Sequence, residues 1–434
     1  MYAQGLRGVA VLCVVAYHYL FYNVDVSGSV GLSVMFSRGP LNIDAGLVEG
    51  LMQFRKFFNC GAFGVGLFFL ISGFVIPISL TNLGSTKFLL ARLARLIPCI
   101  VAVLPFYWAF FKIYASYSGY VISFSLSKIL LSVFFALPSG FYALDSVLWT
   151  LKIEWIFYLY FSVLFAALFS VLSAVLRLAL SAALPVVLIG ALLIIFTKFQ
   201  QQSSGIILPC FSMLLLGYSF YLLQTRKVGK KTFAMLVAVI ICNLLLSLHQ
   251  ILHQKGFNIS KNKLLYNEFI FPYLLALIVW GFCYWVCESA SVPPSANNWS
   301  LQKECPRTFF FTDNWFAERF CKQNLSNDKC RFWAAQKAIV FLSTLLRAFR
   351  EVLRFFAKIS YPLYLLHPIG YYTGFVLVNI CGVSFLAANA INFAFVVLIS
   401  IYISKYVEYP SIALTKRFLA KLTFLDKKYE RGSA

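Results

Sequence analysis

Residues 6–22, LRGVAVLCVVAYHYLFY, place two ionisable side chains, Arg7 and His18, inside one apolar run. Such side chains are costly in an apolar surrounding, and they commonly mark a functional site. In an α-helix their eleven-residue separation puts both on one face, about 16 Å apart along the axis. We therefore predict a polar track along this helix, facing its neighbours. The alternative is an arginine that reaches the membrane surface and a histidine hydrogen-bonded inside a helix bundle.

The composition of the whole chain is that of an integral membrane protein. Of its 434 residues, 61% are hydrophobic and only 12% are charged, and the mean hydropathy is +0.81. Soluble domains carry about 25% charged residues. Apolar runs close to the ~20 residues of a membrane helix recur along the sequence.

We predict an all-α polytopic membrane protein with about ten transmembrane helices. They lie at residues 5–24, 61–80, 96–116, 147–170, 178–197, 205–224, 232–251, 268–287, 359–380 and 385–406. A weaker apolar run at residues 126–137 is too short to span a bilayer, so we expect a re-entrant or interfacial segment there.

Lysine and arginine are unevenly distributed between the predicted loops. With a cytoplasmic amino terminus, the inner side receives most of them, including those in residues 303–358 and 416–431. By the positive-inside rule, we predict a protein of the inner (cytoplasmic) membrane with both termini in the cytoplasm. The net charge of +22 then reflects this bias and attraction to anionic membrane lipids. Because no DNA- or RNA-binding motif is present, nucleic acid is not an expected partner.

One long insertion interrupts the apolar pattern between the eighth and ninth predicted helices. In its last part, residues 337–359, apolar residues recur at helical spacing beside a basic face, which predicts an amphipathic helix on the inner membrane surface. No metal site is expected, because the insertion's cysteines lack metal-ligand spacing and a nearby histidine. The predicted segments are a core of eight helices (1–287), a cytoplasmic insertion (288–358), the last two core helices (359–410) and a basic cytoplasmic tail (411–434).

Two further polar features adjoin apolar runs. Arg92 and Arg95 project from one side of a helical turn, which suits lipid phosphates or a phosphorylated cosubstrate. Glu154 lies at the start of a predicted helix, where a carboxylate is costly unless it is paired. We predict that Glu154 pairs with Arg7 or His18 across the bundle.

Five blocks of the sequence, in order, resemble the integral membrane acyltransferase 3 family, which includes bacterial O-antigen and exopolysaccharide O-acetyltransferases. The order and spacing match as far as Glu408-Tyr409-Pro410. The blocks are Arg7 and His18 separated by ten residues, FFLISGF at 68–74, Arg92-x-x-Arg95, W-x-L-x-x-E-x-x-x-Y at 149–158, and SYPLYLLHP at 360–368.

The resemblance implies a membrane O-acyltransferase, most specifically an O-acetyltransferase. The acyl donor would be cytoplasmic acyl-CoA (acetyl-CoA), a cosubstrate rather than a bound cofactor. The acceptor would be a hydroxyl of a cell-surface polysaccharide, as in lipopolysaccharide modification, or of a lipid-linked sugar. The chain departs from the family pattern at Gly66, where many members carry an acidic residue, and in the insertion. No SGNH-type hydrolase domain follows the last predicted helix, so we expect the membrane part to complete the reaction.

The resemblance also implies roles for individual residues. Arg7, Arg92 and Arg95 would bind the phosphates of the donor. His18 would act as general base on the acceptor hydroxyl, supported by Glu154, and an acyl-histidine intermediate is the alternative. Tyr364 and His367 would contact substrate, while a structural helix cap is an equal interpretation of His367.

Two other classes of function compete with an enzyme. The first is a transporter or flippase for an amphipathic lipid or organic acid, in which Arg7, His18 and Glu154 would form a proton or anion relay. Paired broken helices in two related halves would favour it, and the sequence contains no such repeat. The second is a structural membrane subunit, which would leave the ordered polar blocks unexplained.

Overall fold

The computed structural model describes residues 2–22, 44–118, 142–171, 207–254, 270–289 and 329–432, and every regular element in these ranges is helical. The all-α prediction is therefore confirmed. The helices are α1 (Tyr2–Ala16), α2 (Ala45–Phe57), α3 (Cys60–Leu83), α4 (Ser85–Ser118), α5 (Tyr142–Val171), α6 (Ile207–Gln224), α7 (Lys230–Gln254), α8 (Phe271–Ser289), α9 (Lys329–Lys358), α10 (Ser360–Leu366), α11 (Ile369–Phe375), α12 (Phe385–Ile403) and α13 (Tyr409–Gly432). Three π-helical turns, Tyr17–Tyr22, Val376–Ile380 and Ser404–Glu408, extend α1, α11 and α12.

Five helical stretches in the described ranges are long and apolar enough to cross a membrane. They are Tyr2–Phe21, Cys60–Leu83, Ser85–Phe110, Phe271–Glu288 and Phe385–Lys421, with Pro209–Gln224 as a shorter apolar helix. Each overlaps a predicted transmembrane helix. Helices α5 and α7 cover two more predicted spans but are not among the five. The runs at 178–197 and 126–137 lie outside the described residues, so the total of ten stays a prediction.

The predicted span at residues 359–380 is divided in the structure. Helix α10 ends at Leu366, and α11 begins only after His367 and Pro368. Proline lacks an N–H and its ring clashes with the carbonyl four residues earlier, so a helix breaks there. The prediction of one continuous helix is therefore wrong, and the break places His367 at the end of a helix.

Small residues let the neighbours of α3 approach its backbone closely. A methyl group on Gly73 would overlap the backbone carbonyl of Leu214 in α6, and one on Gly217 would overlap that of Leu70. Such contacts pack helices together in membranes, where hydrophobic burial does little to drive association. Helix α3 also packs against α1, α4, α5 and α8, so its face at Ser72 is enclosed by the bundle.

Helix α9 runs alongside α1 in the same direction. A methyl group on Gly8 would overlap the carbonyl of Leu353, and further along α1 the ring of His18 packs against His367. The amphipathic segment predicted at 337–359 is helical as far as Lys358, as part of Lys329–Lys358. Its last turns pack lengthwise on α1, however, whereas a position flat on a membrane surface was predicted. The glycine at position 8 makes this backbone contact sterically feasible.

Candidate active site

A cavity of about 90 Å³ lies between α1, α3, α4, α5 and α10, enough room for several water molecules. Each of the five sequence blocks contributes to its wall, although they are far apart along the chain. The polar side chains of the wall are Arg7, Ser72, Arg92, Arg95, Thr150, Glu154, Tyr158, Ser360, Tyr361 and Tyr364. The fold thus brings the blocks together at one place.

Glu154 is held by two hydroxyl groups of the cavity wall. Ser72 donates a hydrogen bond to its Oε1, and the hydroxyl of Tyr158, one turn later on α5, donates to its Oε2 over 2.9 Å. Arg7 lines the same cavity and is attracted electrostatically by this carboxylate, so a pairing of Glu154 with Arg7 stays a prediction. The other partner named in the prediction was His18, whose ring contacts that of His367. Both carboxylate oxygens of Glu154 point to cavity hydroxyls, and His18 packs elsewhere.

The guanidinium of Arg92 lies over two aromatic rings, one of which, Tyr158, is part of the cavity wall. Its guanidinium carbon is 5.1 Å from the ring centre of Phe88 and 5.4 Å from that of Tyr158, and its Nη2 donates to Ser79 Oγ over 3.0 Å. Cation–π contacts of this kind orient an arginine without neutralising it. The charge of Arg92 therefore remains available to an anion in the cavity.

Arg95 has a carboxylate partner that sequence reasoning missed. Its Nε and Nη2 both lie 3.2 Å from Oε1 of Glu408, a side chain that is only 2% exposed. Ser404 Oγ donates to the other oxygen of Glu408 over 3.3 Å. The cost argument applied to Glu154 could have found Glu408, because it follows directly on the apolar run 385–406.

The described wall of the cavity carries more positive than negative charge. It has three arginines, Arg7, Arg92 and Arg95, and one carboxylate, Glu154. Glu408 lies behind Arg95 and balances the charge of that arginine. Two carboxylates therefore face three arginines. An excess of cations in a low-dielectric site stabilises a bound anion strongly.

The imidazole rings of His18 and His367 contact each other beside the cavity. Their ring centres are 4.8 Å apart and the planes are tilted by 44°. His18 lies in the π-helical turn Tyr17–Tyr22, and such turns are frequent at functional sites. His367 caps α10, with its Nδ1 2.7 Å from the carbonyl oxygen of Tyr364.

Tyr364 connects the imidazole pair to the cavity. Its hydroxyl is 2.7 Å from Thr150 Oγ1 in the cavity wall, and its ring centre lies 5.5 Å from that of His367. The Thr150 hydroxyl hydrogen is donated to the carbonyl of Val147, so the tyrosine is the donor between the two hydroxyls. The polar track predicted along α1 is therefore completed by side chains of α10.

Gly66, where many members of the family carry an acidic residue, has no room for a longer side chain. A Cβ there would lie 3.0 Å from Tyr273 Cδ1 and 3.3 Å from Met213 Cε. The absence of a side chain at Gly66 allows α8 and α6 to pack closely against this part of α3.

Comparison with known proteins identifies the family. The acyltransferase 3 family model, described as an acyltransferase domain, matches residues 2–316, well over half of the chain. The search of curated proteins and the search of solved structures gave no match. The matched region includes Arg7, Arg92, Arg95 and Glu154 and ends within the predicted insertion, so Tyr364 and His367 come from the part beyond it. With apolar helices of transmembrane length and this match, the chain belongs to the acyltransferase 3 family and is a membrane acyltransferase.

Proposed function

We propose that this acyltransferase is an O-acyltransferase, specifically an O-acetyltransferase, of the inner membrane. It takes an acyl group from cytoplasmic acyl-CoA and esterifies a hydroxyl of a cell-surface polysaccharide, such as lipopolysaccharide, or of a lipid-linked sugar. One observation carries the proposal: an arginine-lined cavity connects through Tyr364 to a buried pair of imidazoles. This arrangement supplies anion binding at one end and proton transfer at the other.

The phosphates of the donor bind at the arginine cavity in this proposal. Guanidinium groups pair with phosphate oxygens through two parallel hydrogen bonds, and Arg92, Arg95 and Arg7 line one wall region. The thioester arm then extends along α1 towards His18. Because helical side chains Arg7 and His18 are about 16 Å apart along the axis, an extended donor arm is needed to span the distance.

His18 acts as general base on the acceptor hydroxyl. It takes the proton of the hydroxyl while the oxygen attacks the thioester carbonyl carbon, and a tetrahedral intermediate forms. The intermediate collapses, the carbon–sulfur bond breaks, and the coenzyme A thiolate leaves and is protonated. Tyr364 and His367 contact the reacting groups in this scheme. The alternative has two steps: the acyl group is first transferred from the thioester to His18, with release of the coenzyme A thiolate, and the acceptor hydroxyl then attacks this acyl-histidine.

Ester formation is the direct test. Purified protein in lipid nanodiscs is incubated with radiolabelled acetyl-CoA and candidate glycans. We expect base-labile label in the glycan, and none with the His18→Ala variant. If wild-type protein labels no hydroxyl of any polysaccharide or lipid-linked sugar offered, the proposed acceptor class is wrong.

The donor site is tested by affinity. The double variant Arg92→Ala with Arg95→Ala is expected to weaken acetyl-CoA binding by about 10- to 100-fold, because charge-assisted hydrogen bonds to phosphate are lost. Lys112→Ala is the matched control: this exposed cation lies on the same helix, with its Nζ 5.9 Å from the Trp108 ring centre. An unchanged dissociation constant in the double variant would show that the two arginines bind only protein or lipid.

One observation favours a transporter or flippase for an amphipathic lipid or organic acid as the second candidate. The helix broken at His367 and Pro368 adjoins the polar track, and transporters use broken helices at their substrate sites. Vesicles separate the two functions: a flippase moves its cargo across the bilayer without ester formation, whereas the enzyme forms the ester.

A further inference from the structure

The two ring nitrogens of His367 are in different states. Nδ1 lies 2.7 Å from the carbonyl oxygen of Tyr364, and a carbonyl oxygen only accepts hydrogen bonds. Nδ1 therefore carries the hydrogen and Nε2 carries the lone pair. His367 is 1% exposed, and Nε2 has no hydrogen-bond partner among the residues that the structure describes. A buried acceptor in this state is unfavourable, so it requires an explanation.

The ring that carries this lone pair packs against a second imidazole. The rings of His18 and His367 are in direct contact at 4.8 Å between centres. Two cations at that distance repel each other strongly in a buried site, so the pair holds one added proton at most. Two bases that share a single proton are suited to pass it between them.

We propose that His367 is the final proton acceptor of the pair, taking up at Nε2 the proton that His18 removes from the attacking hydroxyl. This inference rests on the proposed function. The hydroxyl proton goes to one nitrogen of His18. A rotation of the contacting rings then brings the other nitrogen of His18 within hydrogen-bond distance of His367 Nε2, and the hydrogen on it goes to Nε2. His18 stays neutral, and His367 becomes an imidazolium that the Tyr364 carbonyl stabilises through Nδ1–H. When the carbon–sulfur bond breaks, the same path returns a proton to the thiolate.

The structure separates this role from that of a helix cap, because each role uses a different nitrogen. In His367→Asn the amide nitrogen takes the place of Nδ1 and retains the bond to the Tyr364 carbonyl, but nothing replaces Nε2. We expect the melting temperature and the KM for acetyl-CoA to remain at wild-type values. The kcat is expected to fall by at least about 100-fold, the usual contribution of positioned proton transfer.

Two further variants make the test independent of the cap. His367→Gln places an amide near Nε2, but an amide does not take up a proton, so kcat is again expected to fall. In His367→Ala, free imidazole added to the assay is expected to restore part of kcat while leaving the wild-type rate unchanged. A His367→Asn variant with wild-type kcat would overturn the inference and leave the cap as the whole role. This inference and the proposed function fail in different ways. If the wild-type enzyme forms ester and His18→Ala does not, a wild-type kcat in His367→Asn overturns only the role of His367. If the wild-type enzyme forms no ester, the proposed function itself fails.

Discussion

At the scale of single residues, Glu154 concentrates three interactions in one partly buried carboxylate. It accepts from Ser72 and Tyr158 and balances part of the charge of Arg7. Glu154→Gln keeps the size of the side chain and removes its charge, so Arg7 loses its counter-charge in a low-dielectric site. We expect ester formation to fall by about 10-fold or more and the melting temperature to drop. Ser72→Ala, which removes one hydrogen bond only, is expected to cost about 1 kcal/mol, and a Glu154→Gln variant as mild as this would contradict the argument.

His18 offers the clearest residue-level test of the chemistry. His18→Ala removes the proposed base while leaving the apolar remainder of α1 intact, so the protein should still insert into the membrane. Acyl transfer to the glycan is expected to fall by about 100- to 10,000-fold. Membrane fractionation and the radiolabel assay on the same preparation measure both quantities. Full transfer activity in this variant would remove His18 from the mechanism.

The sequence allowed some of these interactions to be anticipated and concealed others. The cost of burying charge pointed to Arg7, His18 and Glu154 as a linked set, and Arg7 and Glu154 do line the same cavity. Residue spacing gives the distance between two side chains along one helix. It does not show which of them lies next to a side chain from a neighbouring helix. For this reason the sequence left the choice between Arg7 and His18 as the partner of Glu154 open. The hydroxyl of Ser72 is uncharged and carried no comparable signal in the sequence.

At the scale of secondary-structure elements, the contact between α1 and α9 depends on one glycine. A methyl group at Gly8 would overlap the Leu353 carbonyl, whereas one at Gly5 on the same helix meets nothing within 4 Å. Gly8→Ala is therefore expected to displace α9, and with it α10, which carries Tyr364 and precedes His367. We expect a lower melting temperature and reduced ester formation in Gly8→Ala and wild-type values in Gly5→Ala. Equal behaviour of the two variants would show that α9 does not need this contact.

The ion pair between Arg95 and Glu408 joins α4 to the turn that follows α12. Glu408→Gln would leave the guanidinium of Arg95, itself only 24% exposed, without its counter-charge. We expect the free energy of unfolding to fall by about 1–3 kcal/mol. Glu351→Gln is the matched control, because Glu351 is 57% exposed where it pairs with Arg354, and such surface pairs contribute about 0–1 kcal/mol. Thermal melts in one detergent compare both variants, and equal losses would contradict the difference in burial.

Helix boundaries were less predictable than helix identity. Hydropathy indicates that a stretch is apolar, but it does not register a break inside it, so the run at 359–380 was predicted as one helix. Pro368 was visible in the sequence and is the physical cause of the break. The π-helical turn that carries His18 has no such signal, because its apolar and aromatic residues suit an ordinary α-helix equally well.

At the scale of the whole molecule, the site draws on both ends of the chain. Arg7 comes from the first helix and Glu408 from near the last, and both lie around the same cavity. The blocks identified in the sequence predicted this convergence only through family resemblance, because composition and periodicity contain no information on which helices become neighbours. Packing of small residues such as Gly73 against backbone carbonyls selects those neighbours.

The contacts also fix the relative directions of the helices, and from these an orientation can be predicted. Tyr2 packs on Phe74 and Tyr17 lies against Gly61, so α1 and α3 are antiparallel. Tyr273 of α8 lies against Gly66 of α3 and Trp280 against Phe74, so α8 runs parallel to α3. Helix α6 contacts the same two α8 residues in the same order, through Cys210 and then Phe220, so it also runs parallel to α3. Helix α6 therefore ends where α1 begins, and the basic loop at residues 225–231 lies at that end. The positive-inside rule then places this end in the cytoplasm.

Reporter fusions test this orientation. Alkaline phosphatase, which is active only outside the cytoplasm, is expected to be inactive when fused after Gly229, and a fluorescent protein there is expected to be bright. Fused after Phe58, in the short link before α3, the phosphatase is expected to be active, because Gly61 lies beside Tyr17 at the opposite end of α1. Phosphatase activity in the fusion after Gly229 would show that the bundle has the opposite orientation in the membrane. The arginine cavity, which contains Arg7 near the start of α1, would then face away from the cytoplasm and could not receive a cytoplasmic acyl donor.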